Sequence, residues 1–198
     1  MVAGFAYPPT LLPFFVGYAA LGALVAGVEA ALASPNERAP ETSSPTGLFS
    51  QASGLLFMAL WLGSPFFASG GPLVWRALIG AVAIGSGLAL RATAIVTLGA
   101  RFNSDNYIEA GAVLETKGLY RRLAHPSELG LLLLAVGALA YWAAAILWII
   151  APLYLVTVAR LNLEETALTR SHGARYVHYR RHTLDPFPFL APQGGSRA

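Results

Sequence analysis

The sequence predicts an all-α, polytopic integral membrane bundle of about five transmembrane helices, the last two forming a C-terminal hairpin. Three observations lead there. Of 198 residues, 56% are hydrophobic and 12% charged, with a mean hydropathy of +0.57, too apolar for a water-soluble domain of this length. Several windows reach the roughly 20 mainly apolar residues that one crossing requires. Ten of the thirteen Lys and Arg residues, and all four His, lie from Arg101 onward, so polar chemistry is gathered at one end of a lipid-soluble chain.

The first apolar window covers residues 10–33, the second 48–68 and the third 72–98, the last interrupted by Arg76 and Arg91. The N-terminus lacks the basic n-region and small-residue cleavage site of a signal peptide, so the first window is expected to remain as a helix. The polar, proline-rich run 34–45 reads as a linker, and Ser69-Gly70-Gly71-Pro72 as a tight turn. Gly80, Gly85 and Gly87 are expected to let a neighbouring helix approach the third closely. Residues 129–158 are too long for one crossing at 1.5 Å per residue, so they are read as two helices folded back near Tyr141-Trp142. The tail 191–198 has no apolar periodicity and reads as disordered. The domain reading is residues 1–98 as N-terminal transmembrane helices, 99–190 as the working region, then the tail.

Composition also excludes. Without cysteine there are no disulfides, thiolate metal sites or cysteine nucleophiles, and no metal-ligand spacing or phosphate loop occurs. The net charge of +3 does not point to nucleic acid, because the arginines sit among acids and beside apolar segments. They fit the positive-inside bias instead. That bias makes the loop before the hairpin and the C-terminal tail cytoplasmic and leaves the N-terminus outside, in an inner or plasma membrane. Glu29 and Arg76 lie near helix ends and can snorkel to an interface. Arg91 lies deeper and is read as pairing with a carboxylate or a phosphate headgroup.

The polar cluster carries the chemistry. Pro126 pushes His125 away from helical angles and itself suits the first turn of a helix, so a helix starts here with unpaired N–H groups facing the loop. Such an end attracts a carboxylate or phosphate. Glu128, in that first turn, suits the helix dipole and is equally a catalytic candidate. Arg160 and Glu164 are four apart and share a face, whereas Glu165 is rotated away by about 100°. Arg before Glu is the weaker order for an intrahelical pair. This leaves two readings: ordinary interfacial charges, or an arginine fork for an acidic substrate beside a carboxylate for a cation. Tyr176 and Tyr179, among His178, Arg175, Arg180 and Arg181, form either an interfacial aromatic belt or a lid over a cofactor.

Together these residues resemble the isoprenylcysteine carboxyl methyltransferase family and its wider group of membrane methyltransferases, which includes phospholipid N-methyltransferases. Members carry a Gly-x-Tyr-x-x-x-Arg-His-Pro-x-Tyr-x-Gly stretch, a helical hairpin, a Glu-Glu pair and a final Gly-x-x-Tyr-x-x-Tyr segment before a proline. Here the stretch is Gly118, Tyr120, His125, Pro126, Ser127 and Gly130; the pair is Glu164-Glu165; the end is Gly173, Tyr176, Tyr179 and Pro186. The resemblance implies a helical bundle binding S-adenosylmethionine in a cytosolic pocket. Leu114, Tyr120, His125, Pro126, Ser127 and Glu164 match positions that contact the cofactor, with Tyr176 and Tyr179 joining them from the final segment. Arg160 matches an arginine on the substrate side, and Glu164 and Glu128 complete the catalytic candidates. A lipophilic or prenylated acceptor, foremost a carboxylate, would enter from the bilayer.

This chain departs from the pattern at three positions. Ala124 replaces the arginine before His-Pro, Glu128 replaces a tyrosine, and Ala112 stands where eukaryotic members often have histidine. A carboxylate acceptor needs no general base, so alignment and desolvation supply the rate. An amine or hydroxyl acceptor needs one, and Glu128 is the candidate. Two other functions compete: a membrane reductase of the steroid-reductase type, which binds a nicotinamide cofactor, and a non-catalytic scaffold that retains the fold.

Overall fold

The computed structural model describes residues 12–32, 45–67, 74–99, 113–142 and 150–187. The expected linker, the turn before Val74, the tail, Arg101 and Ala112 lie outside them, except that Pro45 opens a helix. Among the described residues six helices follow in chain order: α1 (Leu12–Leu32), α2 (Pro45–Gly63), α3 (Val74–Leu98), α4 (Pro126–Tyr141), α5 (Ile150–His172) and α6 (Ala174–Arg181). Short 3-10 turns lie at Ser64–Phe67 and Gly118–Arg121. The all-helical, polytopic membrane class is therefore borne out.

The expected five crossings divide into two kinds. α1, α2 with its following turn, and α3 are each long and apolar enough to cross a membrane. α4 has 16 residues, about 24 Å of helix, which is short for a core about 30 Å thick. α5 has 23 residues, but Arg160, Glu164, Glu165 and Arg170 occupy it from its middle onward. Its apolar first half can stand in lipid while the second half emerges. The chain breaks where the sequence suggested, since α4 ends at Tyr141 and Trp142 caps it.

α3 and α4 form the tightest pair, and the reason is glycine spaced by seven on both. A Cβ at Gly87 would lie 2.7 Å from the carbonyl oxygen of Gly130, and one at Gly137 would lie 2.9 Å from that of Gly80. Backbones meet along this seam, gaining dispersion contacts that lipid cannot rival. Gly85 takes no part: nothing lies within 4 Å of a Cβ there. It is two residues off the Gly80–Gly87 stripe and so faces elsewhere.

Aromatic residues pin the end of the bundle remote from the polar cluster. Tyr18 stacks on Trp61 at 4.9 Å, and its hydroxyl donates to the Trp61 carbonyl at 2.9 Å. Tyr141 donates to the Phe14 carbonyl at 3.1 Å, and Trp142 is fully buried beside them. At the other end the chain after α6 folds back on the loop before α4. Leu184 N–H donates to Arg122 O at 2.8 Å and Ala124 N–H to Leu184 O at 3.1 Å. Phe187 is thereby buried between His125 and Tyr154.

Candidate active site

The entry to α4 sets the site. His125 has φ −129° and ψ 64°, outside the helix, and Pro126 is the first helical residue, as the His-Pro pair dictates. The His125 ring nitrogen Nε2 lies 2.7 Å from Glu165 Oε1 across the α4–α5 junction. Glu165 is 3% exposed and also accepts from Tyr176 Oη at 2.8 Å and from Arg180 Nε at 3.0 Å. Arg180 reaches on to Asp185 at 2.6 Å. The α4 entry and α6 thus converge on one carboxylate of α5, and the burial cost of each charge is offset by its partners.

Gly173 makes this convergence possible. Its φ of +55°, which side-chain-bearing residues resist, turns the chain between α5 and α6 so that Tyr176 comes back onto Glu165. Tyr176 is 2% exposed, which removes it from an interfacial belt and puts it inside the site. Tyr179 donates its hydroxyl to the Tyr120 carbonyl at 2.7 Å, tying α6 to the turn before α4. Burial raises the phenol pKa values of Tyr120 and Tyr176, reinforced by Glu164 and Glu165 respectively, and holds Tyr179 at about 12. All three remain neutral donors at physiological pH. Burial alone would lower the Arg180 pKa, but its bonds to Asp185 and Glu165 raise it.

A second ion pair crosses from α5 to α4. Arg160 pairs with Glu128, both buried, rather than with Glu164 on its own helix. The guanidinium also lies 3.4 Å from Ser50 Oγ of α2. Glu128 Oε2 and Arg160 Nε have no hydrogen-bond partner among the described residues. A third pair explains two charges in the membrane region. Arg91 donates to Glu29 at 2.5 Å and to Ser127 at 2.8 Å. Arg91 thus has the carboxylate partner expected of it, whereas Glu29 points inward to Arg91 instead of snorkelling alone. Arg76 lies with its guanidinium 5.1 Å from the centre of the Trp75 ring, near the start of α3.

These residues surround one cavity of about 880 Å³. Its polar end is lined by Leu114, Tyr120, His125, Ser127, Glu128, Arg160, Glu164, Tyr176 and Tyr179. Its apolar end runs between α1 and α2, past Gly22, Ala26, Phe57, Met58, Trp61 and Leu62. Every residue singled out in the sequence as catalytic or cofactor-contacting lines it except Pro126, which is fully buried at the start of α4. Glu164 is the one acid of the Glu-Glu pair that faces the cavity, and it makes no hydrogen bond or salt bridge among the described residues.

Sequence reasoning did not assign Glu165 or Arg180 to the site and did not identify Glu29 as the partner of Arg91. The Glu-Glu dipeptide flagged Glu165, but helix geometry directed it away from Arg160 and gave no means of seeing His125, Tyr176 and Arg180 on its other side. No set of three or more His, Cys, Asp or Glu arranged to hold a metal occurs among the described residues.

The unpaired carboxylate and the three tyrosine rings at one end suit a cationic group, by charge and by cation–π attraction. The size fits a nucleoside-sized molecule with a second ligand, lying toward the upper end of the usual range for ligand pockets. Residues 79–170 match the model of the isoprenylcysteine carboxyl methyltransferase family. Among solved structures, the chain is similar to that of the eukaryotic intramembrane Ras methyltransferase, an isoprenylcysteine carboxyl methyltransferase solved without a monobody. The TM-score is 0.62 and the identity 21%, covering 94% of this chain and 70% of that one. No curated protein matches.

Proposed function

We propose that this chain, whose residues 79–170 match the model of the isoprenylcysteine carboxyl methyltransferase family, is a membrane methyltransferase that moves a methyl group from S-adenosylmethionine to a lipophilic acceptor drawn from the bilayer. One observation carries this reading: a single cavity joins the polar cluster at the α4 entry to an apolar channel between α1 and α2. A water-soluble cofactor and a lipid-soluble acceptor can meet there without either crossing the other's phase.

S-adenosylmethionine, when bound, supplies an electrophilic methyl on a sulfonium. Glu164 offers its carboxylate to the cofactor's positive charge, and the rings of Tyr120, Tyr176 and Tyr179 line the same end of the cavity. His125 is fixed by Glu165, so its ring is oriented before any ligand arrives. Leu114 and Ser127 close the sides. Ser127 is held in turn by Arg91. Residues 99–190 would hold the cofactor, with the site on the cytoplasmic side, and the helices before residue 98 would shelter the acceptor. Fixing the two ligands in line and excluding water supplies most of the acceleration that such a displacement needs.

The resemblance implies a carboxylate acceptor held by Arg160. In this chain such an acceptor would have to draw Arg160 away from Glu128. The test of the overall reading is transfer of tritiated methyl from S-adenosylmethionine into the lipid-extractable fraction of a membrane preparation containing the purified protein. Label in that fraction, absent with Glu164→Ala, is expected. No label with any lipid extract would contradict methyl transfer to a lipophilic acceptor.

A further inference from the structure

Glu29 and Arg91 form their ion pair on the wall of the cavity, and the two partners are held very differently. Arg91 is fixed in the α3–α4 seam, where a Cβ on Gly130 would lie 2.8 Å from the Cβ of Arg91. Its guanidinium also donates to Ser127 Oγ at the start of α4. Glu29 belongs to α1, a helix in which only Tyr18 and Val25 are buried. The Glu29 side chain is 33% exposed, against 17% for Arg91. If the pair parts, α1 is the element free to move.

The two ends of α1 are fastened by different chemistry. At the outer end Tyr18 stacks on Trp61 and donates to its carbonyl, and a Cβ on Gly22 would lie 2.9 Å from Trp61 Nε1. Inward from Gly22 the cavity lies between α1 and α2, lined by Ala23 and Ala26 on one side and Ser50 and Gly54 on the other. These side chains are small, and nothing lies within 4 Å of a Cβ on Gly54. Tight aromatic packing therefore holds the outer end, and an ion pair to a third helix holds the inner one.

We propose that the Glu29–Arg91 pair is a latch on a lateral opening: when it parts, the inner half of α1 swings from α2 about the Tyr18–Trp61 contact, and a lipid-soluble molecule passes between them. A partly exposed ion pair holds less strongly than a buried one, so this pair suits a latch. Arg160–Glu128, with both side chains 9% exposed, is the buried kind and stays closed. Arg91 keeps its bond to Ser127 when Glu29 leaves, so its charge is not left without a polar neighbour. That the molecule admitted is the methyl acceptor rests on the methyltransferase reading. The latch does not, and its test needs no catalysis.

The chain has no cysteine, so nitroxide labels can be placed on chosen pairs of introduced cysteines. Ala30→Cys with Leu48→Cys reports the separation of α1 and α2 at the inner end, and Val16→Cys with Phe66→Cys reports the outer end. All four positions are exposed. Double electron–electron resonance in phosphatidylcholine bilayer discs should give the parent protein one main inner distance. Glu29→Arg sets two cations against each other, and should raise the ratio of longer to shorter inner distances by about 10-fold or more. The outer distance should not change. Adding Arg91→Glu to Glu29→Arg restores a pair of opposite charges and still lets Ser127 donate, so the inner distance should return toward that of the parent. An unchanged inner distance in Glu29→Arg, an outer distance that shifts with it, or no recovery in the exchanged pair would each overturn the latch. Failure of the unlabelled parent to bind S-adenosylhomocysteine in calorimetry would instead contradict the methyltransferase reading, with the distances unaffected.

Discussion

Glu164 and Glu165 are neighbours in sequence and opposites in surroundings. Glu165 sits behind the site, 3% exposed, holding His125, Tyr176 and Arg180 at once. Glu164 faces the cavity without a hydrogen bond or salt bridge to any described residue. The first arrangement stabilises the fold and positions the groups around it. The second leaves interaction energy unspent until a ligand arrives, as a preorganised binding site requires. The same contrast separates the Glu165–Arg180–Asp185 network from Glu128 and Arg160, whose unpaired atoms belong to the cavity side.

Substitutions on the two sides have different readouts. Glu165→Ala should have the largest effect, destabilising the fold by about 3–5 kcal/mol because His125 and Arg180 lose the partner that offsets their burial. Thermal unfolding in detergent measures it, and a small shift would break the comparison. Glu164→Ala should leave the unfolding temperature nearly unchanged while weakening S-adenosylhomocysteine binding by about 100-fold, roughly 2.7 kcal/mol. Gly87→Leu should affect both sides, since it forces α3 from α4 and shifts the helix start that carries His125 and Glu128. A loss of about 1–3 kcal/mol, with weaker binding, is the expected size.

The smallest effect comes from Tyr179→Phe, which removes the hydroxyl bond to Tyr120 O and should cost about 1 kcal/mol. Its pH dependence sharpens the point. The folded-state pKa of Tyr179, about 12, lies above the ordinary 10.0, so its stabilisation is fully present below pH 10. As pH rises through about 12 the phenol ionises and the advantage is lost. The gap in unfolding temperature between the parent protein and Tyr179→Phe should therefore be constant to pH 10 and close above it. A gap that closes below pH 9 would mean that the hydroxyl is not buried as described.

Much of this was legible in the sequence because it is local. Twenty apolar residues make a spanning helix whatever surrounds them, and the apolar windows and α1–α3 agree within a few residues. His125-Pro126 dictates a helix start, and α4 ends at Tyr141-Trp142 as length required. The remainder depends on pairings between elements far apart in the chain. Arg160 and Glu164 share a helical face, yet Glu128, thirty-two residues earlier, takes the arginine because α4 and α5 bring them together. Glu29 and Arg91 are sixty-two apart. Helical periodicity reports which face a side chain occupies, not which helix it meets. The count of crossings also needed the structure, since charge from the middle of α5 onward separates it from the three helices long and apolar enough to cross.

The proposed function depends first on S-adenosylmethionine binding at the face of the cavity that carries Glu164. Calorimetric titration of the detergent-purified protein with S-adenosylhomocysteine, with NADPH in parallel, tests it most directly. Saturable S-adenosylhomocysteine binding that is lost in Glu164→Ala, in protein that still unfolds at the parent temperature, is the expected result. Binding of NADPH alone would assign the cavity to a nicotinamide cofactor, and binding of neither would leave a membrane scaffold without this chemistry.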